Sequence, residues 1–189
     1  MKTFIPFIFL LVLTGKSQPP YQIKSCKVDF MFNSWFLSGT KTIIFADSGK
    51  VEKMSGSTDV DTASLSKLTS KFNGQRTHNH SMLIQTPDSV FSIDLDSMTA
   101  YTRKRNPLKI AFDNGIMKNK VGEDTLLGRK CTIVQLDGFR IWYWKGIALK
   151  KETDISHGSI VLEHAVFIDE GYIIKEDEFK IPKGVRIAQ

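Results

Sequence analysis

The feature that most constrains this chain is a series of four strand-like segments with only short turns between them. They cover 125–138, 139–146, 147–156 and 159–171. The turn signals are Asp137-Gly138, Lys145-Gly146 and His157-Gly158. Connections this short join antiparallel strands, because parallel strands need a crossover of a dozen or more residues. The series therefore predicts an antiparallel sheet.

Further strand patterns lie on both sides of this series. In the segment 21–33, alternation places Cys26, Val28, Phe30 and Phe32 on one face of a strand. Other strand-like segments are 35–49, ended by an Asp-Ser-Gly turn, 50–56, 80–98 and 99–104. The segment 177–187 is predicted to form a final edge strand, ended by Pro182.

Two regions break the strand pattern. In 62–74, Leu65, Leu68 and Phe72 have helical spacing, which favours an amphipathic helix over a surface loop. Residues 106–124 contain Pro, Gly and several Asn, and fit a long connection or a short helix. The fold class expected is mainly β (α+β), one domain of about ten antiparallel strands with one or two helices.

The first residues have the pattern of a secretory signal. A lysine precedes an apolar run of about ten residues, too short for a membrane-spanning helix, and small residues follow it. We expect residues 1–17 to be a signal peptide and 18–189 a single domain. No cysteine lies directly after the apolar run, so a lipid anchor is disfavoured. The expected location is periplasmic or secreted, and the mature protein is not expected to span a membrane.

The charge of the chain is mildly basic. The net charge is +6, and removing Lys2 and Lys16 with the signal would leave 24 basic against 20 acidic residues, a net +4. The basic run at 102–109 could touch a lipid surface or a phosphate, although a solvated loop is the simpler interpretation. Export argues against nucleic acid as a partner.

Motifs for catalysis and cofactors are missing from the sequence. There is no Gly-rich phosphate loop, G-x-S-x-G elbow or H-E-x-x-H helix, so we predict no catalytic residue and no cofactor. His78 and His80 are weak metal candidates, because on a strand both imidazoles share a face. The pair Asp94 and Asp96 could serve a calcium site or a glycosidase, but a solvent-facing strand edge explains it as well.

Two cysteines, Cys26 and Cys131, could form a disulfide in an oxidising compartment. Each also lies in an apolar strand-like stretch, where a buried free thiol behaves as a small hydrophobic side chain. The sequence leaves both interpretations open.

The segment 139–146, FRIWYWKG, is apolar on both faces of a strand, with Trp142 and Trp144 on the same face. Such a strand must be covered on both sides. Trp142 and Trp144, together with Phe30 and Phe32, are therefore the candidates for lining a ligand cavity, the alternative being simple core packing.

The string LLGRKCTIVQLDGFRIWYWKGIALKKET (126–153) resembles a motif of uncharacterised exported proteins from Gram-negative envelopes. The segments 38–50, 92–101 and 179–187 also fit the pattern. That group is similar to the LolA-like superfamily, which includes the periplasmic lipoprotein carrier. The resemblance implies a strongly curved antiparallel sheet, or incomplete β-barrel, covered by helices and enclosing an apolar cavity.

The function expected is therefore a non-enzymatic binding or carrier protein. Its partner would be a lipid, an acyl chain or a lipoprotein. The first alternative is an envelope structural or protein-interaction module, and the second is a hydrolase using Asp94, Asp96, His78 or His80.

Overall fold

The computed structural model describes residues 21–33, 37–61, 77–105, 116–136, 138–155 and 158–188. The predicted signal segment and the predicted helix at 62–74 lie outside these residues. Among the described residues, no helix is long and apolar enough to span a membrane.

Within the described ranges, twelve strands form a single sheet. They are β1 (Cys26–Asn33), β2 (Leu37–Ala46), β3 (Val51–Val60), β4 (His78–Gln85), β5 (Ser89–Asp94), β6 (Thr99–Lys104), β7 (Lys120–Leu126), β8 (Arg129–Leu136), β9 (Phe139–Trp144), β10 (Ile147–Ile155), β11 (Gly158–Asp169) and β12 (Arg186–Ala188). Their order in the sheet is β12-β6-β5-β4-β3-β2-β1-β11-β10-β9-β8-β7. Every neighbouring pair is antiparallel except β12 and β6, which are parallel.

The prediction of an antiparallel sheet is confirmed, and the Lys145-Gly146 turn falls where the sequence placed it, between β9 and β10. Lys145 and Gly146 have φ angles of 47° and 87°, as the tightest hairpin turns require. A further turn of this kind, at Leu127 and Gly128, has φ angles of 50° and 72°. It splits the predicted segment 125–138 into β7 and β8, and the sequence pattern missed it because leucine rarely adopts positive φ.

The structure differs from the predicted fold in the number of strands, in the position of the final edge strand and in the curvature of the sheet. The sheet has twelve strands rather than about ten, and the described residues contain two short 3-10 helices but no α-helix. The final edge strand is Arg186–Ala188, after Pro182 rather than before it. The sheet is also open and not strongly curled, so the strong curvature that was predicted is not found.

The reason for the open shape lies in how the two faces of the sheet are buried. We call the face that carries Val28, Phe30 and Phe45 the front face, and the face that carries Ile84 and Ile93 the back face. The larger core covers the front face of β1 and β2 and extends to β8–β11. The smaller core lies on the back face of β4–β6. A barrel would bury one face throughout, whereas this sheet buries opposite faces in its two halves.

The chain segments that flank the sheet cover these cores. On the front, residues 21–25 cross one end of the sheet, where the Tyr21 ring packs on Phe45 with centroids 4.2 Å apart. On the back, Phe179, Ile181 and Val185 pack against the core of β4–β6. Glu178 holds this C-terminal segment in place, because it pairs with Lys53 and accepts a hydrogen bond of 2.7 Å from the Tyr172 hydroxyl.

Candidate functional site

An open groove of about 470 Å³ crosses the front face between β1 and β6. Its apolar side chains include Phe32, Met54, Leu83 and Tyr101. Met54, Leu83, Ser92 and Tyr101 form one row across four strands, because each is paired with the next in the register of the sheet. The groove therefore runs across the strands rather than along one of them.

Small residues create the space in this groove. Gly56, Ser81 and Ser92 face the front beside the larger side chains, and Ser81 and Ser92 are exposed. Larger side chains at these three positions would fill the depression. The sequence signal of the groove is therefore the alternation of small and large residues along 54–58 and 81–94, which the positions of the aromatic residues do not reveal.

Two glycines let β2 and β3 approach closely at the edge of the groove. A Cβ on Gly56 would lie 2.3 Å from the carbonyl oxygen of Thr40, and one on Gly39 would lie 2.0 Å from that of Ser57. Both distances are far inside van der Waals contact. Such glycines mark close approach of two backbones. The Phe32 side chain lies directly above Gly39, where it forms part of the groove wall.

Of the four aromatic residues predicted to line a cavity, the structure places only Phe32 in this groove. Phe30, Trp142 and Trp144 are 1%, 4% and 8% exposed and belong to the front core. Core packing, the alternative interpretation, therefore describes these three. For Trp142 and Trp144 the reason is that β9 lies beyond β11 and β10 from β1, where the front core covers the sheet.

The two tryptophans share a buried environment with polar contacts at its edge. The Trp142 Nε1–H donates to Asp124 at 3.0 Å, and the Lys150 Nζ lies 4.4 Å from the centre of the Trp142 ring. The Trp144 ring is flanked by Lys145 and Arg129. Because each ring packs beneath a cation, these contacts stabilise the hairpin of β9 and β10.

On the back face, the structure brings His78 and His80 together at the start of β4. Their Nε2 atoms are 3.1 Å apart. The Nδ1 of His78 contacts the carboxylate of Asp59, and the Nδ1 of His80 lies 2.9 Å from Oδ1 of Asp96. The histidines thus share a face, as alternation on a strand requires.

The two aspartates proposed as a pair have different contacts. Asp94 accepts the backbone N–H groups of Asp96 and Ser97 at 2.9 and 3.1 Å, which closes the turn after β5. Asp96 contacts His80 instead. A carboxylate also lies on the Nδ1 side of the histidine in a catalytic triad, where it orients the ring. However, the Nε2 atom of His80 faces His78. Ser57 is the cross-strand neighbour of His80, and its hydroxyl contacts Thr40 instead of His80.

Cys26 and Cys131 are free thiols, 0% and 1% exposed, so the candidate disulfide is not formed in this structure. Three strands separate β1 from β8 in the sheet order. Both thiols lie in the front core, where Cys26 donates to the carbonyl of Lys27 and Cys131 to that of Arg129. Burial raises the pKa of Cys26 to about 11 and also raises the pKa of Cys131.

We expect neither thiol to react with the disulfide reagent DTNB at pH 8 in the folded protein, because both are buried and protonated. After denaturation without reductant, two thiols per chain should react. The variants Cys26→Ser and Cys131→Ser should each reduce this count to one. A count of zero in the denatured wild-type protein would show that the cysteines are bonded, contrary to the structure.

A buried polar network closes the end of the front face near the N-terminal segment. Glu52 accepts hydrogen bonds from the Tyr21 hydroxyl at 2.7 Å and from the Gln85 amide at 3.3 Å. Burial raises the pKa of Glu52 despite these bonds. Arg105, which belongs to the basic run predicted as a solvated loop, is 7% exposed and donates to the carbonyls of Gly49, Lys50 and Thr86. The solvated-loop prediction is therefore wrong for Arg105, because these carbonyls hold its guanidinium inside.

Comparison with known proteins gives a structural similarity only. No family model matches the sequence, and no curated protein matches it. Among solved structures, the chain is similar to an uncharacterized conserved protein from Thermus thermophilus, with a TM-score of 0.55 and 9% sequence identity. The match covers 88% of this chain and 91% of that protein. At this identity the likeness concerns the fold alone.

Proposed function

We propose that this protein is an exported, non-enzymatic carrier or binding protein whose front-face groove holds the acyl chain of a lipid or of an acylated protein. The observation that carries the proposal is the open apolar groove itself. Its volume of about 470 Å³ lies within the range of roughly 300–1,000 Å³ that is typical of ligand pockets. The LolA-like resemblance of the sequence supports the same class of ligand.

The polar groups around the groove also favour an apolar ligand. Lys41 lines the groove, yet its ammonium pairs with Glu163 and lies 4.5 Å from the centre of the Phe30 ring. Asp94 lines it too, but its carboxylate holds the turn after β5. Because both charges already have partners within the protein, the groove offers a ligand mainly apolar contact.

The test is to fill the groove without disturbing the core. Ser92 is exposed and lies in the row between Leu83 and Tyr101, so Ser92→Trp places a large ring in the groove. A fluorescent fatty acid, dansyl-undecanoic acid, should bind the wild-type protein and bind Ser92→Trp at least tenfold more weakly. Native mass spectrometry of the purified protein should detect a bound amphiphile that this variant lacks.

The matched control is Thr102→Trp, because Thr102 is exposed on the neighbouring strand β6 and faces the back of the sheet. This variant should bind the fatty acid as the wild-type protein does. If the wild-type protein binds no fatty acid and purifies without an amphiphile, the carrier proposal fails. Equal weakening by both tryptophans would also contradict it.

A second candidate function is the protein-interaction module. Met31 and Phe167, on neighbouring strands β1 and β11, are 50% and 51% exposed. Phe167 is paired with Asp29, two residues before Met31 on the same strand, and exposed large hydrophobic side chains on one face favour a protein partner. In that case, a variant that combines Met31→Gln and Phe167→Gln should no longer capture a protein partner, and it should bind the fatty acid as the wild-type protein does.

A further inference from the structure

We propose that His78 and His80 form a surface site for a divalent transition-metal ion of the Zn²⁺ class, with Asp59 and Asp96 as supporting carboxylates. The site lies at the start of β4. Its binding of an ion is independent of the acyl-chain binding proposed for the groove. The geometry of these four side chains supports such a site.

The distance between the two imidazoles suits a shared ion. The Nε2 atoms lie 3.1 Å apart, with the rings edge to face. Zn–N bonds are about 2.0–2.1 Å long, so two imidazole nitrogens on a tetrahedral zinc ion are about 3.3–3.4 Å apart. The observed separation of the two nitrogens is therefore within a few tenths of an ångström of the separation that a zinc ion requires.

The carboxylates select the nitrogen that faces the ion. With Nδ1–H of each ring donating to Asp59 or to Asp96, both Nε2 atoms direct a lone pair into the space between the rings. Two lone pairs at this distance repel each other, so a metal ion between them stabilises the pair. A carboxylate behind each histidine is also the arrangement that orients metal-binding imidazoles.

The backbone positions this arrangement before any ion binds. His78 pairs with Asp59 across β3 and β4, and Asp96 is held by its contact with the backbone N–H of His80 at 2.9 Å. Both histidine side chains are about half exposed, at 49% and 48%, so an ion can enter from solvent. The described residues provide no third His, Cys, Asp or Glu ligand. Water would fill the remaining coordination positions, which are more numerous here than in catalytic zinc sites, where three protein ligands leave one position for water.

Isothermal titration of the untagged protein with ZnCl₂ tests this proposal. We expect one binding site, weakened at least tenfold by His78→Gln and by His80→Gln. Asp96→Asn should weaken binding by about tenfold or more, because loss of such a supporting partner costs roughly 10–100-fold in metal affinity. His164→Gln, which alters a histidine on β11 away from this pair, should bind as the wild-type protein does.

A second measurement separates metal binding from a purely structural role of the pair. In NMR spectra of the histidine ring protons, ZnCl₂ should shift the signals of His78 and His80 and leave that of His164 unchanged. Circular dichroism should show that all four variants are folded. The proposal is overturned if the wild-type protein does not bind Zn²⁺, or if either His78→Gln or His80→Gln binds it with unchanged affinity.

Discussion

Replacing Arg105 with alanine should lower the free energy of unfolding by about 3 kcal/mol, at roughly 1 kcal/mol for each buried carbonyl that loses its donor. The guanidinium donates to Thr86 at 2.7 Å, to Gly49 at 3.0 Å and to Lys50. It thereby joins the turn between β2 and β3 to the loop between β4 and β5. In a chain of this size, such a loss lowers the melting temperature by about 6–12 °C. Thermal unfolding followed by circular dichroism measures it.

Arg103→Ala is the matched control for this substitution. Arg103 lies two residues earlier, on β6, and is exposed. Its replacement should therefore change the free energy of unfolding by no more than about 0.5 kcal/mol. Equal melting temperatures for the two variants would show that the carbonyl contacts of Arg105 contribute nothing to stability.

Gly56→Ala should be destabilising to a similar degree, by about 3 kcal/mol. The added Cβ would lie 2.3 Å from the Thr40 carbonyl oxygen and 3.2 Å from the Lys41 Cα. Both are backbone atoms of a paired strand, so no side chain can rotate away. The strands must separate instead, which strains their hydrogen bonds and alters the groove. Urea denaturation measures this loss as a lower midpoint.

Gly122→Ala makes the same chemical change at a site with room for it. Its Cβ would meet only the Ile133 Cδ1 at 3.7 Å, an ordinary contact, and Gly122 also lies within a strand, β7. We expect a change of no more than about 1 kcal/mol, within the range of β-propensity differences. If Gly122→Ala is as destabilising as Gly56→Ala, the close approach of β2 and β3 is not the cause.

Local sequence was sufficient to predict most of the sheet. Lys145-Gly146 between two alternating segments predicts a hairpin because strand pairing across a two-residue turn involves only neighbouring residues. The same reasoning placed Val28 and Phe30 on one face. It did not find the turn at Leu127-Gly128, where leucine adopts a backbone conformation that its side chain disfavours. The pairing of β7 with β8, the strands before and after that turn, overrides the local preference.

Contacts between distant segments could not be predicted in this way. Trp142 and Phe32 have equally apolar patterns, yet one lies in the core and the other in the groove, because the strand order decides which part of a face is covered. The basic run predicted a solvated loop, but Arg105 is buried by carbonyls from two other parts of the chain. A sequence pattern records periodicity, not which segments meet.

The sequence by itself thus determined the strand content, the antiparallel hairpins and the alternation of side chains, since these depend on backbone geometry over a few residues. Only the tertiary structure decided that opposite faces are buried in the two halves of the sheet, that a groove remains between β1 and β6, and that His78 and His80 each contact a carboxylate. Those features depend on which strands become neighbours, and sheet order is a property of the whole chain.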